Sequence, residues 1–189
     1  MKLAGGLLLL AAAIPVSVSA APAPSESDRV IYAMLDHYGR DIPSNERDCV
    51  RPTLDRLGSV SRKDRDIWGP WWTPDEKPLA RASAREIDRV LLRAAPPSAA
   101  QRIGRVTSVP KSLILSAEDE PATGPCALAS EEAAVWHVMI THPIFNGDWA
   151  FVEIATLGGG SPPPQLWALK RDRGKWQPKY FAMRTLWYD

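Results

Sequence analysis

Between residues 26 and 38 the apolar positions Val30, Ile31, Met34, Leu35 and Tyr38 recur three and four apart, the period of one helix face. Ser25 followed by Asp28 supplies a capping box ahead of them, and Gly39 marks the stop. The single apolar stripe predicts a helix packed on a sheet. A second helix is predicted where Ile87, Val90, Leu91 and Ala94 make one stripe, opened by the capping pair Ser83 and Glu86 and ended by Pro96-Pro97. Between the two, residues 40–80 mix charges, prolines and glycine. Arg62-Lys63-Asp64-Arg65-Asp66 runs into Trp68-Gly69-Pro70-Trp71-Trp72 there, and a short helix is expected near residues 52–57.

The pattern then turns to strands. A strand pair is predicted at 105–109 and 112–115, followed by a loop over 118–130 that holds Cys126. Segments 135–145, 149–157, 165–171 and 176–187 are rich in β-formers and separated by turn signals, which predicts an antiparallel meander. Asn146-Gly147 is the strongest turn signal, suited to a type I′ hairpin; Arg173-Gly174 suggests a second, longer hairpin loop. The implied fold class is α+β, with N-terminal helices packed on a C-terminal antiparallel sheet of about four to six strands.

With Asn146-Gly147 as the loop, Phe145 faces Asp148 and the whole register is set. One face then carries Trp136, Val138, Ile140, His142 and Ile144 against Leu157, Ala155, Glu153, Phe151 and Trp149. His142 lies diagonal to Glu153, roughly 7 to 8 Å away, within reach of their side chains. A carboxylate beside an imidazole in an apolar setting suits acid/base chemistry, so His142 and Glu153 are the catalytic candidates; the plainer reading is a satisfied pair at the rim of a core. Pro143 threatens this register, because a proline in a strand marks an edge or a bulge. His137 falls on the other face, opposite the Thr156 hydroxyl.

Composition narrows the function. The chain has 189 residues, 45% hydrophobic and 24% charged, enough for one core-forming domain. Its 23 basic and 22 acidic residues leave a formal charge of +1, so no bulk field attracts nucleic acid or an anionic membrane. Eighteen prolines predict long irregular connections. Lys2, the apolar run 7–14 and Val18-Ser19-Ala20 read as an export signal over residues 1–20, followed by an extended leader 21–25 and a single α+β domain 26–189. The apolar run is shorter than the ~20 residues that span a bilayer, and none like it recurs, so no transmembrane segment is expected in the mature chain. An even, small count of thiols in an oxidising compartment favours one disulfide between Cys49 and Cys126, with a reactive cysteine or two unpaired thiols as the alternatives. The protein is thus expected to be periplasmic or secreted.

Few motifs carry chemistry. His137 and His142 stand five apart in a strand, on opposite faces, so no metal site is expected. The helical His-Glu-x-x-His, Gly-x-Ser-x-Gly, Walker and dinucleotide signatures are absent, and no cofactor is expected. Asp148 and Glu153, at odd spacing, point away from each other rather than forming a glycosidase pair. Gly158-Gly159-Gly160 leads into prolines and reads as a hairpin connection. Arg81, Arg85, Arg89 and Arg93 line up on the second helix, either as an anion-binding stripe or as a solvated face diluted by Glu86 and Asp88. Trp68, Trp71 and Trp72 are the ligand-binding candidates, since flat rings in a loop stack on sugars or anchor a protein partner; the competing reading is a lid folded over the core.

The run Phe145-Asn146-Gly147-Asp148-Trp149-Ala150, the segment from Leu166-Trp167-Ala168-Leu169 through Gly174-Lys175-Trp176, and the terminal Trp187 resemble a group of uncharacterised small exported bacterial proteins. The resemblance covers the chain from Ala133 onward and implies the same C-terminal meander. Members often carry a Cys-Gly-x-x-Cys-Gly run before the third strand; residues 158–164 hold no cysteine here, so a role tied to those thiols does not transfer. The group brings no catalytic residues with it. The function expected is an exported, non-catalytic binding or interaction domain of the bacterial cell envelope, its partner an envelope glycan or an envelope protein and not nucleic acid. The alternative is a small envelope hydrolase using the His142 and Glu153 pair.

Overall fold

The computed structural model describes residues 23–40, 42, 48–51, 54–56, 65–96, 105–106, 108–116, 126, 137–157 and 162–185. The expected export signal, Arg62-Lys63-Asp64, Trp136, Gly158 to Gly160, Trp187 and most of the 118–130 loop lie outside the described residues.

Two helices, α1 (Glu26–Tyr38) and α2 (Arg81–Leu91), accompany nine strands: β1 (Asp48–Val50), β2 (Asp55–Arg56), β3 (Trp68–Trp72), β4 (Leu113–Leu115), β5 (His137–His142), β6 (Ile144–Asn146), β7 (Trp149–Leu157), β8 (Gln165–Asp172) and β9 (Lys175–Arg184). They form one sheet in the order β3-β9-β8-β7-β5-β1-β4, with β2 joined to β5 and β6 to β7. The C-terminal meander is antiparallel, and β3 adds antiparallel to β9. Toward the other edge the pairing is parallel, β1 with both β4 and β5, and β2 with β5. The sheet is therefore mixed and larger than the four to six antiparallel strands expected. β4 lies in the strand predicted at 112–115; the members not predicted, β1, β2 and β3, are two to five residues long, too short for a period-two pattern to show. Residues 55 and 56 are strand where the sequence predicts a helix, and β4 pairs with β1.

α1 forms as its sequence dictates. Asp28 N–H donates to Ser25 Oγ at 3.1 Å, and Ser25 N–H donates back to Asp28 Oδ2 at 2.8 Å. Gly39 ends the helix with φ of −70°, so glycine is not needed for a left-handed turn. A Cβ there would instead collide with Ser112 Oγ, and close approach is what requires it. α2 begins earlier than expected: Ala80 is its N-cap without a side-chain bond, which places Ser83 inside the first turn.

Both hairpin turns differ from expectation. Asn146 pairs with Trp149, so the loop is Gly147-Asp148, with Gly147 alone at positive φ (+58°), the pattern of a II′ turn. Arg173 and Gly174 both have positive φ (48° and 78°) in a two-residue I′-like loop, shorter than expected.

Alternation along the strands builds two cores. Ala150, Val152, Ile154, Trp167, Leu169 and Phe181 belong to one cluster together with Val30, Ile31, Met34 and Leu35 of α1. Phe151, Leu166, Ala168 and Ala182 belong to the other with Ile87 and Leu91 of α2, Trp68 and Trp71. The architecture is three-layered, with a helix on each face of the sheet. Cys49 and Cys126 are bonded, with a Cα–Cα distance of 5.7 Å across a separation of 77 residues, and both are buried. A loop that long stabilises by about 4 to 5 kcal/mol in the chain-entropy account.

Candidate binding groove

The tryptophans expected to bind a ligand lie on an edge strand. A register shift between Trp68 and Trp71 lets both enter the α2 core, while Trp72, next to Trp71, packs half-buried against the α1 core. Trp71 is completely buried and Trp68 nearly so. Trp71 Nε1 donates to Asp88 Oδ1 at 2.7 Å, Arg65 lies 5.3 Å above its ring, and Arg65 also donates to Asp88 Oδ1 and to the Trp68 carbonyl. Trp71, with no exposed surface and its indole N–H satisfied, turns no face to solvent, while Trp68 keeps 6% of its surface exposed.

His142 and Glu153 are likewise separated. β5 pairs Ile140 with Ile154, one residue out of the expected register, and β6 pairs Ile144 with Phe151, shifted once more across Pro143. By alternation His142 shares the face of Ile140, and Glu153 that of Phe151, the opposite side. His142 Nδ1 contacts the Pro143 carbonyl oxygen at 3.2 Å, and the Glu153 backbone N–H donates to Thr141 Oγ1 at 2.9 Å. No acid/base pair forms between them. The same shift sets His137 opposite Leu157 and Thr156 opposite Val138. The two are therefore no longer opposed, and His137 Nε2 and Thr156 Oγ1 are both buried without a hydrogen-bond partner.

The concave surface lies instead beside the C-terminal half of α1. A groove of about 280 Å³ is lined by Met34, His37, Tyr38 and Ile42, by Pro74 and Glu76 of the turn after β3, and by Gln165, Trp167 and Phe181 of β8 and β9. Its aromatic floor belongs to the α1 core, with Trp167 and Phe181 each 6% exposed: the two stack with centroids 4.9 Å apart, and His37 stands edge-on to Trp167 at 4.9 Å. Trp167 Nε1 donates to Gln165 Oε1 at 2.9 Å, which leaves the Gln165 amide N–H groups for another acceptor. Glu76, exposed, is held at φ of 58° by the turn in which Thr73 N–H donates to the Lys77 carbonyl (2.9 Å) and Glu76 N–H to the Thr73 carbonyl (2.9 Å). Tyr38 donates its hydroxyl to Asp48 Oδ2 at 2.8 Å. Burial, with the Asp48 hydrogen bond and charge behind it, pushes the phenol well above its ordinary value, so Tyr38 stays protonated and supplies no nucleophile. A second, more open groove of about 410 Å³ flanks the other end of α1, between Tyr32, Arg29, Ser108 and Trp176, where Trp176 Nε1 is already engaged by Glu26.

The first groove combines flat apolar rings with a carboxylate, an amide and an imidazole at its edge. That set suits a hydroxyl-rich ligand with apolar faces, and the one hydroxyl in its lining, that of Tyr38, is already committed to Asp48. Among the described residues no group of three or more His, Cys, Asp or Glu side chains converges as a metal site, and no helix is long and apolar enough to cross a membrane. Sequence reasoning missed Trp167, Gln165, His37 and Glu76. The alternation Gln165, Trp167, Leu169 puts Trp167 on the same side as the α1 stripe, which was the available signal; nothing local indicates the turn carrying Glu76. No protein-family model, curated protein or solved structure matches the chain.

Proposed function

We propose that this chain is an exported, non-catalytic binding module of the bacterial cell envelope, and that the groove along α1 receives its ligand, a glycan. The observation that carries the reading is the groove itself, where Glu76, Gln165 and His37 stand beside the small part of the Trp167–Phe181 stack that the core leaves uncovered. Sugar rings offer C–H faces to aromatic rings and hydroxyls to a carboxylate and an amide, so one ligand satisfies both kinds of wall. The Cys49–Cys126 bridge supports residence in an oxidising compartment. The separation of His142 from Glu153 leaves the hydrolase alternative without its acid/base pair.

Titration of the full chain with peptidoglycan fragments and other envelope glycans, followed by tryptophan emission, tests this. A saturable change that weakens at least tenfold in Glu76→Ala and His37→Ala supports the reading. A flat response to every glycan, or unaltered affinity in both variants, removes it and directs the search to an envelope protein.

A further inference from the structure

Helix α2 presents a different surface, on the side of the sheet away from the groove and independent of it. Arg81, Arg85 and Arg89 are exposed along α2, and Arg93, four residues on, is exposed just beyond its last turn. Residues four apart share a ridge of the helix with about 6 Å of rise between them, so the four form a single file roughly 18 Å long. The sequence alone suggests that Glu86 and Asp88 dilute this row. In the fold Asp88 is turned inward, accepting from Arg65 and from Trp71 Nε1. Among the described residues, none of the four arginine side chains has a hydrogen bond or an ion pair. Like charges four apart repel, and the first turn of α2 holds no acidic residue to offset the helix dipole beside Arg81. A chain whose formal charge is only +1 has thus collected four unpaired cations in line, an arrangement that costs stability when nothing anionic lies on it.

We infer that this arginine ladder is a docking surface for an extended anionic polysaccharide, whose successive acidic groups take the forked guanidinium donors in turn. The single-file layout matches a linear polyanion. Besides the arginines, the exposed positions of α2 are Ala82, Ser83 and Glu86. They provide no aromatic ring for a base to stack on and no large apolar side chain to enter a bilayer, since Ile87 and Leu91 are buried.

The experiment is binding of the full chain, disulfide intact, to polygalacturonate, with neutral dextran, a single-stranded oligonucleotide, and mixed zwitterionic and anionic phospholipid vesicles in parallel. Binding to polygalacturonate is expected to weaken about fifty-fold between 50 mM and 200 mM salt, at roughly 0.7 of log–log slope per contact. Arg89→Gln alone lowers that slope by about 0.7. The combined variant Arg81→Gln, Arg85→Gln, Arg89→Gln, Arg93→Gln loses binding without a lower thermal midpoint, because removing the repulsion does not harm the helix. Wild-type protein that ignores polygalacturonate, a fourfold variant that still binds it, or tighter binding to vesicles, oligonucleotide or neutral dextran overturns the inference.

Discussion

The two faces of the sheet carry helices of similar length, 13 residues in α1 and 11 in α2, yet they are closed to different degrees. Over the α2 face, β3 brings in Trp68 and Trp71, and Asp88 ties helix to strand through the Trp71 indole. The aromatic mass is spent on closure, and the chemistry left over is the charged outer surface of the helix. On the α1 face the helix is anchored by Val30, Met34 and Leu35, and grooves open beside both of its ends. Tryptophan is plentiful on both faces. Where an edge strand supplies it, it seals; where a central strand supplies it under the end of a helix, it floors a groove.

Substitutions break this contrast to graded extents. Trp71→Ala removes a fully buried ring and a satisfied indole N–H, and should cost about 3 to 5 kcal/mol in equilibrium urea unfolding; a loss below about 1 kcal/mol would mean the α2 face is not sealed by that ring. Tyr38→Phe acts on the other face. It removes the bond to Asp48 and should cost about 1 to 2 kcal/mol at neutral pH. Because the folded state raises the phenol pKa, wild-type stability is complete below the unfolded value near pH 10 and declines above it, by about 1.4 kcal/mol per pH unit. The Phe variant lacks that alkaline decline, and pH-dependent denaturation midpoints check it. Ser25→Ala, which removes one arm of the α1 capping box, should cost about 1 kcal/mol by thermal unfolding. Smallest of all, Glu76→Ala should change stability by less than about 0.5 kcal/mol while weakening glycan binding, which separates a ligand contact from a packing contact.

Local signals were readable where one segment suffices. The Ser25–Asp28 box and the Val30 to Leu35 stripe define α1 without help from the rest of the chain, and the β7 boundaries follow from composition and turns. The β5–β7 register failed because it hung on one turn: Gly147 took the first loop position, and Pro143, with no N–H to donate, let the ladder slip again. On the parallel edge only β4 was readable, inside the strand predicted at 112–115; β1 and β2 were invisible, since segments of two or three residues acquire strand geometry only from distant partners. The groove was hidden for the same reason, its walls coming from α1, the turn after β3, and two strands of the meander. Only the tertiary fold tells Trp167, at a groove, from Trp71, inside a core.

That distinction can be measured at the indole nitrogens themselves. In a protein labelled with ¹⁵N at tryptophan and titrated with peptidoglycan fragments and other envelope glycans, the Trp167 Nε1–H resonance should shift saturably while that of Trp71, bound to Asp88 in the closed face, stays in place. A Trp71 resonance that moves while Trp167 does not would contradict the account, and so would the absence of any saturable shift at Trp167.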